Sequence, residues 1–234
     1  VIPAHNEEKY IGKCLTSIVN LKVPPEVELE ILVVLNRCTD NTECIAREFG
    51  ARVISNDSKN LSSIRNEGIR ASTGDWIVTI DADSWASENV LIEIYKEIGR
   101  KEVVGGGITM RPERWSTGIA VGYFMVALPA AISGISFGLY WFKKEYFDAI
   151  DGFNESKLIG EDMDFYTRLK KYGCSISKGH KKIYKAHITT SCRKFDQFGD
   201  WYFLRIYSNP LQVARAENGT DKKFLDKYWY EVKR

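Results

Sequence analysis

Two aspartates separated by one residue end the run "VTIDADSW" at positions 78–85. Val78, Thr79 and Ile80 have the character of a buried strand, so Asp81 and Asp83 stand at its exit. Like charges this close repel unless something positive lies beside them. Asp and Ser also favour turns, so a solvated turn is the plain alternative. A hard divalent cation would use such a pair: Mg²⁺ or Mn²⁺ takes one or two carboxylates and fills its shell with substrate phosphates. Residues i and i+2 of an extended chain share a direction. One carboxylate can therefore hold the metal while the other reaches a ribose hydroxyl.

The elements around this pair alternate. "EKYIGKCLTSIVN" places Ile11, Cys14, Leu15 and Ile18 on one helical face. "LEILVVL" is a continuous apolar run, as in a strand buried on both faces. A short helix closed by Gly50, a strand "RVIS", and a helix "LSSIRNEGIRAS" ending near Gly74 follow. The D-x-D strand comes next, then a helix "SENVLIEIYKEIG" with Ser87 as N-cap, then a strand "VVGGGITM". This order predicts an α/β fold with a mostly parallel sheet flanked by helices. Ligands of such sheets bind beyond the carboxyl ends of the strands. Those ends carry "PAHNEE", "NRCTDNT" and "DADS", each able to bind a polar ligand.

Composition bounds the rest. The 234 residues are 44% hydrophobic, enough for one large domain. A net charge of +2 does not suggest a nucleic-acid partner. Five scattered cysteines without a C-x-x-C suit a reducing compartment and small buried roles. Val1 already falls inside a strand pattern, so any targeting segment is out of view. The expected location is the cytoplasm, with the inner face of the membrane as an extension of it.

"VIPAHNEE", "VVLNRCTDNT", "IRNEGIRASTGDWIVTIDADS" and "DGFNESKLIGEDMDFYTRLKKYG" together resemble an inverting family 2 glycosyltransferase of GT-A fold, through about residue 175 of 234. The resemblance implies a metal-dependent transfer of one sugar from a nucleotide-diphosphate sugar, UDP-sugar first, to an acceptor hydroxyl. Pro3, Ala4, His5 and Glu7 match the first nucleotide-binding loop. Asn36 matches a base-contacting position that is usually Asp, with Arg37 and Cys38 replacing Gly-Ser. Arg65 matches a basic residue near the donor; Asp81, Ala82 and Asp83 match the D-x-D, with Asp83 the direct ligand of Mn²⁺ or Mg²⁺. In "GEDMD", Gly160 opens a helix over 161–172 that Gly173 closes, and carboxylates in its first turn suit the helix dipole. There Asp162 matches the general base and Glu161 an acceptor-binding or orienting group. His187 resembles a late histidine that completes the metal shell. "TSCRKF" resembles a late segment of some members. "QFGDW" matches the processive Q-x-x-R-W only in part, because Asp200 stands where Arg belongs, which favours single transfer.

Two stretches need placing. Ser116–Phe142 carries no charge. A single crossing of a bilayer there would separate the D-x-D from Asp162, so a helix beside the acceptor cleft is expected, with plain core or a peripheral membrane contact as its other uses. Trp141 is read as a ring that could stack on the acceptor. The basic run from Lys178 to Lys194 is a solvated face or a rim for a diphosphate or anionic lipid. We expect one GT-A domain over 1–214, with a nucleotide-sugar half (1–110), a smaller acceptor-side half (111–214) and an appendage (215–234). The acceptor class stays open among glycan, lipid-linked and small-molecule types, as does the oligomeric state. A polyprenyl-phosphate glycosyltransferase and a nucleotidyltransferase of related fold remain as alternatives; the latter would want a Gly-rich phosphate loop that "PAHNEEKYIGKC" lacks.

Overall fold

The apolar run near residue 32 becomes a strand buried along its whole length, β2 (Leu32–Leu35), with β1 (Ile2–Ala4) and β3 (Arg52–Ser55) on either side. Both pairings are parallel, as expected. Helices α1 (Ile11–Val19), α2 (Thr42–Glu48) and α3 (Leu61–Ala71) make the connections. Helix α1 buries the predicted face of Ile11, Cys14, Leu15 and Ile18. The computed structural model describes residues 1–100, 102–133 and 138–208, and for 129–133 the backbone alone. The expected appendage over 215–234 lies outside the described residues.

The second sheet runs in the order β4 (Trp76–Ile80), β7 (Leu139–Lys143), β6 (Val103–Pro112), β8 (Gly179–Thr190), β5 (Ser84–Ala86). It is mixed: β6 and β8 are parallel, while β7 runs against both β4 and β6 and β5 runs against β8. The segment "LYWFK" is therefore a central strand, although its first four residues end the charge-free stretch expected to be helical; "KEYFDA" after it is helical, as α6 (Lys144–Ala149). The sheets meet at β1 and β4, where the Val1 nitrogen donates to the Val78 carbonyl at 2.7 Å and Ile80 N donates to the Val1 carbonyl at 3.1 Å.

Two helix ends differ from expectation. In α4 (Val90–Ile98) the N-cap is Asn89, and Ser87 instead donates its hydroxyl to Asn89 Oδ1 at 2.9 Å. Helix α7 (Glu161–Ser175) runs through Gly173 instead of stopping there. That glycine is needed for space: a Cβ would lie 2.7 Å from the Lys178 carbonyl and 2.9 Å from Val104. The triple glycine of β6 works the same way. A Cβ on Gly106 would fall on the Lys181 carbonyl oxygen and 2.9 Å from the Trp141 ring. Glycine thus lets β7 and β8 close on β6, the sheet that carries the site.

The charge-free stretch forms α5 (Thr117–Ser133), apolar on all sides. Gly118 and Gly122 let it meet Asp200, in the turn after α8 (Arg193–Phe198), and Phe203 of α9 (Tyr202–Tyr207). Among the described residues no helix is long and apolar enough to cross a membrane.

Gly106→Ala should destabilise the protein by about 1–3 kcal/mol or more, because the added methyl has nowhere to go. Gly12→Ala, whose new methyl would meet only Ile45 Cγ2 at 3.7 Å in a helix, should be neutral or stabilising. Thermal unfolding of the two variants separates them; equal melting temperatures would refute the packing role of Gly106.

Candidate active site

The loops after β1 and β2 are knitted together. Asn36 N donates to the Ala4 carbonyl at 2.7 Å, Thr39 N to Asn6 Oδ1 at 2.7 Å, and Glu7 N to Thr42 Oγ1 at 2.8 Å. Asn6 and Arg37 adopt left-handed backbone conformations at the two turns. His5 Nδ1 contacts the Asn36 carbonyl. These loops and the end of β4 line one side of a cleft of about 900 Å³.

At its floor, Asp81 and Asp83 each face a guanidinium. Arg65, on α3, reaches Asp81 Oδ1 at 2.9 Å with Nη2 and Glu161 Oε1 at 2.8 Å with Nη1. Burial holds the Asp81 and Glu161 carboxyls above their ordinary range, with Arg65 opposing the shift without cancelling it. Burial would depress Arg65, but Asp81 and Glu161 more than offset it, so the guanidinium stays charged. The second cation is Arg193, at the start of α8. Its Nη1 donates to both Glu7 oxygens at 2.9 and 2.6 Å, and its Nε lies 3.0 Å from Asp83 Oδ2. Ser191 Oγ donates to the same Asp83 oxygen at 2.8 Å.

The opposite wall comes from α7. Gly160 enters the helix with φ +70 and open space around it, so it is glycine for backbone conformation. Glu161 then turns to Arg65, and Asp162 lines the cleft. Asp162 Oδ2 accepts a hydrogen bond from the Tyr140 hydroxyl at 3.0 Å. Burial and the Asp162 charge push the Tyr140 phenol well above its ordinary value, so it remains a donor. The apolar part of the cleft is Ile119, Tyr123, Val126 and Ala127 of α5 with Leu158 and Phe203.

Pro3, Ala4, His5, Glu7, Asn36, Arg65, Asp81, Ala82, Asp83, Glu161 and Asp162 therefore all line one cleft. Three expectations need correction in detail. Trp141 is fully buried in β7, with its ring 5.9 Å from that of Trp76, so it cannot stack on a sugar. His187 lies at the wrong end of β5: its backbone pairs with Ser87, while Asp83 pairs with Ser191. Four extended residues separate those ends, roughly 13 Å, too far for a shared metal. Asn36 is buried, and its amide hydrogens go to the Asn56 and Ser58 carbonyls at 2.6 Å each. It holds the loop after β3 against the cleft and does not offer a free amide to a ligand.

The basic run splits by strand geometry. Lys182, Arg193 and Lys194 line the cleft, whereas Lys181 and Lys185 are exposed. Asp200 pairs with Arg114 at 2.8 Å, a structural use of the position that breaks the processive motif. Tyr140 is a site residue with no signal in the sequence, since it is an ordinary strand residue; Ser191 falls in the "TSCRKF" segment, whose resemblance gave it no role. Among the described residues no three His, Cys, Asp or Glu groups converge as a metal cage. The donor set still fits Mg²⁺ or Mn²⁺, which bind through one or two carboxylates with phosphate oxygens and water completing the shell.

Residues 1–124 match the model of glycosyl transferase family 2. A Methanococcus voltae protein is 27% identical over 225 residues, covering 83% of this chain and 68% of its own length; it is named dolichyl N-acetyl-alpha-D-glucosaminyl phosphate 3-beta-D-2,3-diacetamido-2,3-dideoxy-beta-D-glucuronosyltransferase. S. aureus TarS in complex with UDP-GlcNAc superposes with a TM-score of 0.62 at 16% identity, over 81% of this chain and 57% of that one. A Pyrobaculum calidifontis mannosyltransferase in complex with GDP-Man and Mn²⁺ gives 0.62 at 20% identity, over 80% and 55%. The chain thus spans under 60% of the length of these two structures, and at these identities the likeness is one of fold. With the family model covering more than half of the residues and the GT-A architecture carrying the matched motifs, the chain belongs to glycosyl transferase family 2.

Proposed function

We propose that this chain transfers a single sugar, with inversion, from a nucleotide-diphosphate sugar to an acceptor hydroxyl, using a divalent metal. One observation carries the reading. Arg65 joins Asp81, on the donor floor, to Glu161, beside Asp162 on the opposite wall of the same cleft. A UDP-sugar is our first choice of donor, supported by the UDP-GlcNAc complex of the TarS structure; GDP-Man in the mannosyltransferase is the competing precedent.

The roles follow from position. Pro3, Ala4, His5 and the loop held by Asn36 receive the nucleoside. Asp81 faces the donor with Arg65 holding its carboxylate. When bound, Mn²⁺ or Mg²⁺ on Asp83 supplies positive charge to the diphosphate as it leaves. Asp162, oriented by Tyr140, takes the proton of the acceptor hydroxyl. The hydroxyl oxygen forms a bond to the anomeric carbon from the face opposite the diphosphate. The bond from that carbon to the diphosphate oxygen breaks, and the nucleoside diphosphate leaves with its electron pair. Glu161 stays on Arg65 and fixes the start of α7 under the acceptor.

The apolar wall favours an acceptor with a lipid portion. Helix α5 lines the cleft with one side and leaves Phe124 and Leu128 64% exposed on another, beside exposed Met125 and Val121. A peripheral contact with the cytoplasmic face of a membrane would cover that surface and present a lipid-linked acceptor to the cleft.

Asp162→Asn should retain donor binding by calorimetry and lose about 10²–10⁴-fold in kcat for a hydroxyl acceptor. Unchanged turnover of the hydroxyl acceptor would remove Asp162 as the base. Phe124→Asp with Leu128→Asp should abolish co-sedimentation with lipid vesicles and leave nucleotide binding intact; equal sedimentation of variant and parent would refute the membrane contact.

A further inference from the structure

The second aspartate of the D-x-D already has a cation. Arg193 Nε sits 3.0 Å from Asp83 Oδ2, and its Nη1 is clamped by both oxygens of Glu7. All three side chains are largely enclosed, at 14% (Arg193), 15% (Asp83) and 5% (Glu7) exposure. The face of Tyr10 covers the guanidinium at 5.3 Å. The backbone of Glu7 is itself held by Thr42 Oγ1 at 2.8 Å. Yet the Asp83 contact is a poor one. Arg193 Nε is buried without an aligned hydrogen-bond acceptor, although the carboxylate lies at ion-pair distance. The strong bonds of this guanidinium go to Glu7, and its hold on Asp83 is charge alone.

A divalent cation approaching Asp83 meets this positive charge at close range in an enclosed site, where Coulomb repulsion is poorly screened. The oxygen facing Arg193 is also taken by Ser191. A nucleoside diphosphate changes the balance. It brings negative oxygens that attract the metal, and it offers Arg193 and Lys194, both on the cleft wall, new anionic partners. We propose that Arg193 is the resident counter-ion of Asp83, and that the metal enters only in exchange for it, together with the nucleoside diphosphate. The site then stays charge-balanced when empty and binds metal and nucleotide as a pair. This rests on the metal-dependent donor binding proposed above.

Titration of free Mn²⁺, followed by its electron paramagnetic resonance signal, tests the exchange on the full chain without any turnover. The probes are Mn²⁺ alone and Mn²⁺ with UDP or GDP; the proteins are wild type, Arg193→Gln, Arg193→Lys and Asp83→Asn. Wild type should bind Mn²⁺ at least about tenfold more tightly with a nucleotide than without. Arg193→Gln should bind Mn²⁺ alone at least about tenfold more tightly than wild type, and Arg193→Lys, which keeps the charge, should stay near wild type. Asp83→Asn should lose Mn²⁺ under all conditions. Equal affinity of wild type for Mn²⁺ with and without nucleotide overturns the exchange, and needs no variant to fold. So does equal affinity of wild type and Arg193→Gln for Mn²⁺ alone. Binding of UDP or GDP with no Mn²⁺ taken up by any of the four proteins overturns the metal reading itself, a different pattern from either.

Discussion

A buried guanidinium between two carboxylates is the constraint on which the site depends. Arg65 is 5% exposed and touches Asp81 on one side and Glu161 on the other. These acids stand at the exit of β4 and the start of α7, far apart in sequence. Removing the cation would leave Glu161 enclosed and unpaired and would strip the half-exposed Asp81 of its partner; for an enclosed acid such a loss costs several kcal/mol. The next residue of the same helix extends the link: Asn66 accepts from Phe153 N at 2.8 Å and donates to the Phe153 carbonyl at 2.9 Å. One turn of α3 thereby fixes the floor of the cleft and the loop that leads into α7. The inverting displacement proposed above needs that fixed relation, since nucleophile, anomeric carbon and leaving oxygen must lie in line.

Arg193 is the counterpart on the other aspartate, and the two arginines differ in kind. Arg65 makes aligned hydrogen bonds to both of its acids, whereas among the described residues Arg193 makes them to Glu7 and not to Asp83. The first arrangement is a permanent strut. The second leaves Asp83 available to another cation. Five carboxylates, Glu7, Asp81, Asp83, Glu161 and Asp162, thus line one cleft with two arginines placed among them. Tyr140 adds a neutral donor to Asp162, the one of the five that neither arginine contacts among the bonds described.

Much of this is legible in the residues. Strands that read as unbroken apolar runs, and α1 with its spaced Ile11, Cys14, Leu15 and Ile18, are local patterns that survive folding unchanged. The loops after β1, β2 and β4 meet because parallel strands bring their carboxyl ends to one edge. What stays hidden is set by long-range pairing. Nothing in "LYWFK" tells that β7 inserts between β4 and β6, and that insertion buries Trp141. The lysines of "GHKKIYKAHITT" mask the strand β8, so the distance from His187 to Asp83 cannot be read from spacing. Arg193 and Tyr140 acquire roles only when β8 and β7 deliver them to the cleft. Gly173 resembles a helix stop in sequence and is instead a point of contact with β6.

The claim that Arg65 couples the donor floor to the acceptor helix has a direct test in a double-mutant cycle on Asp81→Asn and Glu161→Gln, read by urea unfolding. The two residues share one partner, so the losses should be non-additive, with a coupling of about 1 kcal/mol or more. Losses that add to within about 0.3 kcal/mol would mean that the two acids act independently and that Arg65 joins nothing.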